Sequence, residues 1–307
     1  MTAYFSQQLI NAATVSAIYG LLASSYVLMH AVTQRINLAF GAFAILSGYV
    51  VIDVTLALML RMPGGLIVPI TVGIVLGIAH ATLAGGVAER IVVRPLVADR
   101  SLAMLVGTLG LALIIEDLVR LTHDSRDVWL MPLFNDPVFI GGTADHPVSV
   151  TPVQVAVVAV AITLSIGLVL LLRYHSFGRS WRAVSQDLAM AELTGVDSGR
   201  VIFVSYLLAT ANAASAGALL ALSYGSVSFY GGTVLGLKTL FVAVIGGLNS
   251  VPGAIAGACC LGLLETLWSG YVGSVYRDAA AFALLTMLLI LFPQGLFAGS
   301  SRRDHDR

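Results

Sequence analysis

Apolar runs long enough to cross a bilayer recur from one end of this 307-residue chain to the other, and nothing else in the sequence restricts the fold as strongly. The hydrocarbon core of a membrane is about 30 Å thick, so a helix needs roughly 20 apolar residues to cross it. Nine segments approach that length, at about 9–32, 36–60, 65–88, 101–120, 152–172, 201–223, 234–249, 252–270 and 278–297. Only 10% of the residues are charged, where a soluble domain carries about a quarter, and mean hydropathy is +0.93. Backbone N–H and C=O groups in lipid must be satisfied within their own segment. The expected fold class is therefore all-α, a polytopic transmembrane helical bundle of eight to ten segments forming a single domain over 1–307. Gly41, Gly48, Gly246, Gly247 and Pro252 fall inside 36–60 and 234–270, where half-spanning or interrupted helices are expected.

A secretory signal peptide begins with a basic stretch, whereas the first basic residue here is Arg35, after the apolar run that starts near Leu9. That run is expected to be a retained span. Basic residues in short loops stay on the cytoplasmic side during insertion. If the loop at 89–100 is inside, eleven arginines fall inside and only Arg61, Arg120, Arg126 and Arg277 outside. The bias puts the N-terminus out and the C-terminus in.

The two longest polar loops then face opposite sides. The periplasmic one, about 121–150, holds Asp124, Asp127, Asp136 and Asp145 with Pro132, Pro137 and Pro147, and reads as an acidic, turn-rich cap. The cytoplasmic one, about 174–200, reads as a helix. In it Phe177, Trp181, Val184 and Leu188 recur at three- and four-residue spacing, Arg179 and Arg182 lie off that stripe, and Gly195 suits a C-terminal cap.

Sixteen basic residues balance sixteen acidic ones with no basic stripe, which argues against a nucleic-acid partner. Cys259 and Cys260 are adjacent in an apolar run, so they form neither a disulfide framework nor a spaced metal site and are expected to be small buried residues. No metal site is expected. The single lysine, Lys238, follows Leu237, so no phosphate-cradling Gly-Lys-[Ser/Thr] exists. No His-Glu-x-x-His or Gly-x-Ser-x-Gly arrangement is present either, and no catalytic residue or resident cofactor is expected.

Polar groups inside the spans are few: Asp53, Glu116, Asp117, Lys238 and Glu265, with Asn37, Asn212 and Asn249 nearer segment ends. An ionised group near the bilayer centre costs about 3 kcal/mol, so it needs a partner or a water-filled route. Lys238 and Glu265 are the expected pair, either lining a translocation path with Asn37 and Asn249 or serving as a structural ion pair. Asp53, Glu116 and Asp117 sit close enough to segment ends to be hydrated. The repeats Gly73 to Gly77, Gly232 to Gly236 and Gly253 to Gly257 are read as helix-packing sites.

Several stretches resemble one family, the inner-membrane permease subunits of branched-chain amino-acid ABC transporters, in its short N-terminus type. They are Arg35-Ile-Asn-Leu-Ala-Phe-Gly41, Glu89-Arg90 leading into Arg94-Pro95-Leu96, Phe177-Gly178-Arg179 through Asp187-Leu-Ala-Met-Ala191 to Gly195, Gly236-Leu-Lys-Thr239, Ile245-Gly-Gly-Leu248, Pro252-Gly253-Ala254 and Phe292-Pro-Gln-Gly295. The Glu116-Asp117 pair departs from the neutral polar residues expected there.

The resemblance implies an ABC importer permease fold in a bacterial inner membrane. Its partners would be a second permease subunit, two cytoplasmic ATPase subunits that bind ATP and Mg, and a periplasmic solute-binding protein. The solute would be a branched-chain or similar small amino acid, with urea and short amides also served by the family. It further implies that Phe177 to Gly195 docks in an ATPase groove and couples nucleotide-driven closure to alternating access, with Met190 and Ala191 in the same helix. In that reading Trp181, Val184 and Leu188 enter the groove and Arg179 and Arg182 meet its rim. The residues alone leave open an ion-gradient-driven secondary transporter using Glu265 or Asp53.

Overall fold

The computed structural model describes residues 2–61, 65–97, 101–124, 126–131, 136–143, 146–248 and 250–291. In chain order the elements begin with helices α1 (Thr2–Thr33), α2 (Phe40–Arg61) and α3 (Ile67–Ala88). A π-helical turn at Glu89–Val93 leads from α3 into the short α4 (Arg94–Val97), and α5 (Ser101–Thr122) follows. Three strands come next, β1 (Val128–Trp129), β2 (Val138–Thr143) and β3 (His146–Val150), then α6 (Pro152–Tyr174), α7 (Ser176–Gln186), α8 (Leu188–Leu193) and α9 (Ser198–Tyr224). After β4 (Ser226–Val227) the chain closes with α10 (Gly231–Gly246), α11 (Val251–Tyr271) and α12 (Arg277–Leu291).

Among the described residues, seven helices are long and apolar enough to cross a membrane: α1, α2, α3 with its continuation to Val97, α5, α6, α9 and α11. Two of the nine expected segments are not among these seven. The segment at 234–249 is the 16-residue α10, which at 1.5 Å per residue reaches about 24 Å, short of the hydrocarbon thickness. It ends at Gly247, whose φ of 101° only glycine adopts without strain. The last segment is described as far as Leu291, and its remainder, with the motif that begins at Phe292, lies outside the described residues. The loop at 121–150 is not purely turns: β2 and β3 form an antiparallel hairpin, and β1 pairs with β4.

Helix ends are set by local chemistry. Thr151 and Gln154 make a reciprocal capping box at the start of α6, with Pro152 in its first turn. Asp187, Asp197 and Ser250 accept N–H bonds at the starts of α8, α9 and α11.

The bundle is built around α1 and α9, most of whose length is buried, while α3 and α6 turn most of theirs outward. The outward residues are large and apolar, such as Val75 and Leu83 on α3 and Ile162 and Ile166 on α6. A solvent of lipid tails accepts them, so the interior is distinguished by small residues that let backbones approach. A Cβ on Gly217 of α9 would strike the Ala44 carbonyl of α2, one on Gly41 would strike the Gly232 carbonyl of α10, and one on Gly253 of α11 the Gly246 carbonyl. Gly73 and Gly77 seat α3 on Thr55, Val51 and Ser47 of α2, so all three small-residue repeats lie at helix crossings. Cys259 and Cys260 depart from expectation: both are exposed, on the outward face of α11 rather than in the core.

Candidate functional site

One end of the bundle opens into a cavity of about 770 Å³, within the range of small-molecule pockets. Its walls are the first half of α1, the end of α9, α10, the end of α11 and the start of α12. Hydrogen bonds from Tyr4 to the Gly270 carbonyl and from the Ser149 amide to Gln7 gather the N-terminus, the β3 strand and the end of α11 at this mouth. Because α6 runs the length of the bundle between them, the segments at 121–150 and 174–200 lie at opposite ends. The cavity is at the end of the former.

At its floor the structure brings Lys238 of α10 and Glu265 of α11 together, Nζ to Oε1 2.7 Å, with both side chains almost wholly buried. The Lys238 ammonium also donates to Oδ1 of Asp278, at 2.7 Å, and Arg277 Nε lies 3.3 Å from the same oxygen. The second Glu265 oxygen accepts from the Tyr19 hydroxyl at 2.7 Å. Two cations and two anions thus close one network, which offsets part of the penalty an isolated buried charge would carry. Sequence reasoning named Lys238 and Glu265 but missed Tyr19, Arg277 and Asp278. The signal was there, an Arg-Asp pair opening the last apolar segment, but the charges read as the edge of a span.

The other in-span polar residues divide. Asn37 is buried, and its Oδ1 accepts from the Ala39 amide at 2.9 Å, so it braces the turn leading into α2 and is not among the residues lining the cavity. Asn249 lies outside the described residues. Asn212 donates to Ser24 at 2.8 Å, a bond between α9 and α1 in the core. Asp117 is exposed and pairs with Arg120, as hydration at a helix end predicts.

Glu116 is not hydrated: it is buried, and one carboxylate oxygen accepts from the Thr233 amide at 2.6 Å and the Thr233 hydroxyl at 2.8 Å. It caps the N-terminus of α10 from a neighbouring helix, where backbone N–H groups point at a negative charge. Asp53 is partly exposed and meets His123, Nε2 to Oδ2 2.8 Å. Burial alone would lower the His123 pKa, but the Val119 carbonyl and the Asp53 carboxylate outweigh it and hold it above the usual histidine value.

At the opposite end, the stretch expected as one helix from Phe177 to Gly195 is two. Asp187 has extended backbone angles and caps the second. Gly195, with φ of 86°, ends it as expected. Apart from Leu188, the apolar stripe faces inward: Trp181 and Val184 are buried in the main core, Phe177 packs at its edge, and Ala191 joins them. Gly178 lies so close to the Leu172 carbonyl at the end of α6 that a Cβ would collide with it, and Arg182 donates to that same carbonyl. A cation at a helix C-terminus satisfies carbonyls the helix cannot.

Trp181, Val184 and Arg182, expected to face a partner, are therefore engaged by this chain's own helices. The reason is that α7 lies across the ends of α1, α6 and α9, so its apolar side meets them first. What remains outward is Arg179 and Asp187 with Leu188, Met190 and Leu193 of α8, the last two 61% and 82% exposed.

Comparison with known proteins bears on nearly the whole length. A family model described as "Branched-chain amino acid transport system / permease component" matches residues 8–292. The chain is 35% identical over 295 residues to the high-affinity branched-chain amino acid transport system permease protein LivH of Escherichia coli (strain K12), covering 95% of each. It is 34% identical over 293 residues to LivH of Salmonella typhimurium, covering 95% of each. To the corresponding permease protein BraD of Pseudomonas aeruginosa it is 29% identical over 296 residues, again with 95% of each covered.

Proposed function

Since the chain belongs to the family of branched-chain amino-acid transport permeases, we propose that it is one pore-forming half of an ABC importer in a bacterial inner membrane. Its partners are a second permease subunit, two cytoplasmic ATPase subunits that bind ATP and Mg, and a periplasmic binding protein that delivers the solute. The solute is a branched-chain or similar small amino acid, moved by alternating access. The observation that carries this reading is the cavity whose floor is the Lys238, Glu265 and Asp278 network. A polar, charge-balanced chamber among apolar helices, open at one end, is what a path for a zwitterion requires.

The α7–α8 pair is the ATPase contact, through Leu188, Met190 and Leu193 with Arg179 beside them. Exposed apolar residues on a polar, membrane-flanking element mark a partner surface. The well-packed Trp181 and Val184 make that element rigid, so a push on α8 moves α1, α6 and α9. A gradient-driven carrier would need Glu265 or Asp53 free to exchange its proton or ion, whereas Glu265 is engaged by Lys238 and Tyr19 and Asp53 by His123.

Reconstitution of the permease pair with its ATPases in liposomes tests this reading. Leucine uptake should require enclosed ATP and external binding protein and should survive ionophores. Uptake that needs an ion gradient and no ATP would replace it with the secondary-transport reading.

A further inference from the structure

The three side chains around Lys238 are not equivalent. Glu265 is fixed: its side chain is 2% exposed, Tyr19 holds one oxygen, and α11 packs along α1 beneath it. Asp278 is 50% exposed and stands at the cavity wall in the first turn of α12. It shares its oxygen Oδ1 between Lys238 at 2.7 Å and Arg277 at 3.3 Å. The Lys238 side chain is only 4% exposed, and of its two carboxylate partners Asp278 is the one with water to retreat into and a second cation to keep.

We infer that Asp278 is the specificity-determining residue of the cavity, an exchangeable counter-ion that makes it select zwitterions. This rests on the proposed reading of the cavity as the solute path. The solute carboxylate takes the place of Asp278 on Lys238, and the freed Asp278 carboxylate receives the solute ammonium. Lys238, Arg277, Glu265 and Asp278 sum to zero charge, and a zwitterion adds none, so every charge in the filled cavity has a partner. A monocarboxylate leaves one negative charge in excess, and an amino-acid amide leaves one positive charge in excess. Either imbalance is costly beside the buried Lys238 and Glu265 side chains. The solute's hydrocarbon part meets Val15, Ile18, Ile45 and Leu235, which line the same cavity.

The test is equilibrium binding to the assembled transporter in lipid nanodiscs, without the binding protein, using L-leucine, 4-methylpentanoate and L-leucinamide. Wild type should prefer leucine to either analogue by at least about tenfold. Asp278→Asn gives the empty cavity a net positive charge. It should bind the acid more tightly than wild type does and the amide more weakly, so the leucine-to-acid ratio falls to within about threefold. Asp278→Glu should restore the wild-type order. A variant that is merely loosened would move all three ligands in the same direction.

Equal shifts for the three ligands, or no shift, in Asp278→Asn overturn the inference while leaving the transport reading intact if the wild-type complex still imports leucine. A wild-type complex that binds none of the three and imports no leucine overturns both.

Discussion

The indole Nε1 of Trp181 donates to the carbonyl oxygen of Leu28 at 3.1 Å. Leu28 is in the interior of α1, so the bond fastens a surface-lying helix to the most buried one. A residue with the look of a partner anchor is thereby an internal brace. Truncating a buried Trp costs about 3–5 kcal/mol. Trp181→Ala is expected to lower the thermal stability of the purified chain itself, in the absence of any ATPase. Met190→Ala with Leu193→Ala should leave that stability unchanged and reduce ATPase co-purification. Thermal unfolding in detergent and pull-down recovery separate the two, and the idea fails if Trp181→Ala melts with wild type.

The Lys238 network leads to a second expectation. Removing one partner of a buried pair strands the other and costs about 3–5 kcal/mol. Lys238→Met should destabilise the chain and abolish solute uptake. Adding Glu265→Gln removes the stranded charge, so the double variant should recover much of the stability and none of the uptake. Melting temperature and transport measured on the same preparations check this, and uptake by the double variant would make the pair purely structural.

Much of this architecture was legible in the sequence because lipid imposes a simple rule, about 20 apolar residues per crossing. Lys238 and Glu265 stood out for the same reason, as charges where charges are expensive. What the pattern left hidden depends on three-dimensional proximity. Glu116 reads as a helix-end carboxylate, and only its position beside the start of α10 makes it a cap. The stripe of Trp181 and Val184 shows amphipathicity but not which side finds a partner, and here the chain's own helices fill it. Helix α10, by contrast, was legible: Gly246 and Gly247 mark an interrupted segment, and the helix ends there.

The contact between His123 and Asp53 carries a pH signature. The folded pKa of His123 lies above its unfolded value of about 6.5. Its stabilisation is therefore complete below about pH 6.5 and fades as pH rises through the folded value. Asp53 is 44% exposed, so screening limits the pair to about 1 kcal/mol or less. His123→Gln should lower the melting temperature at about pH 5.5 more than at about pH 8.5, where the neutral imidazole contributes little charge attraction. An equal decrease at both pH values would assign His123 a packing role against Tyr49.

Glu116 offers a last expectation, because its capping bonds hold the start of the helix that carries Lys238. Thr233 is the third residue of α10, and its amide has no intrahelical acceptor. Glu116→Gln keeps an oxygen at that position and should retain most uptake. Glu116→Ala leaves the Thr233 amide and hydroxyl without their acceptor, a loss of about 1–2 kcal/mol by analogy with other helix caps. The first turn of α10 should then fray, and Lys238, about a turn and a half farther along the helix, should lose its fixed distance to Glu265. Hydrogen exchange at Thr233 and Val234 should accelerate in Glu116→Ala, and uptake should fall with it, while Glu116→Gln stays near wild type in both. Slow exchange in Glu116→Ala would mean that the contact with α2 alone orders the start of α10.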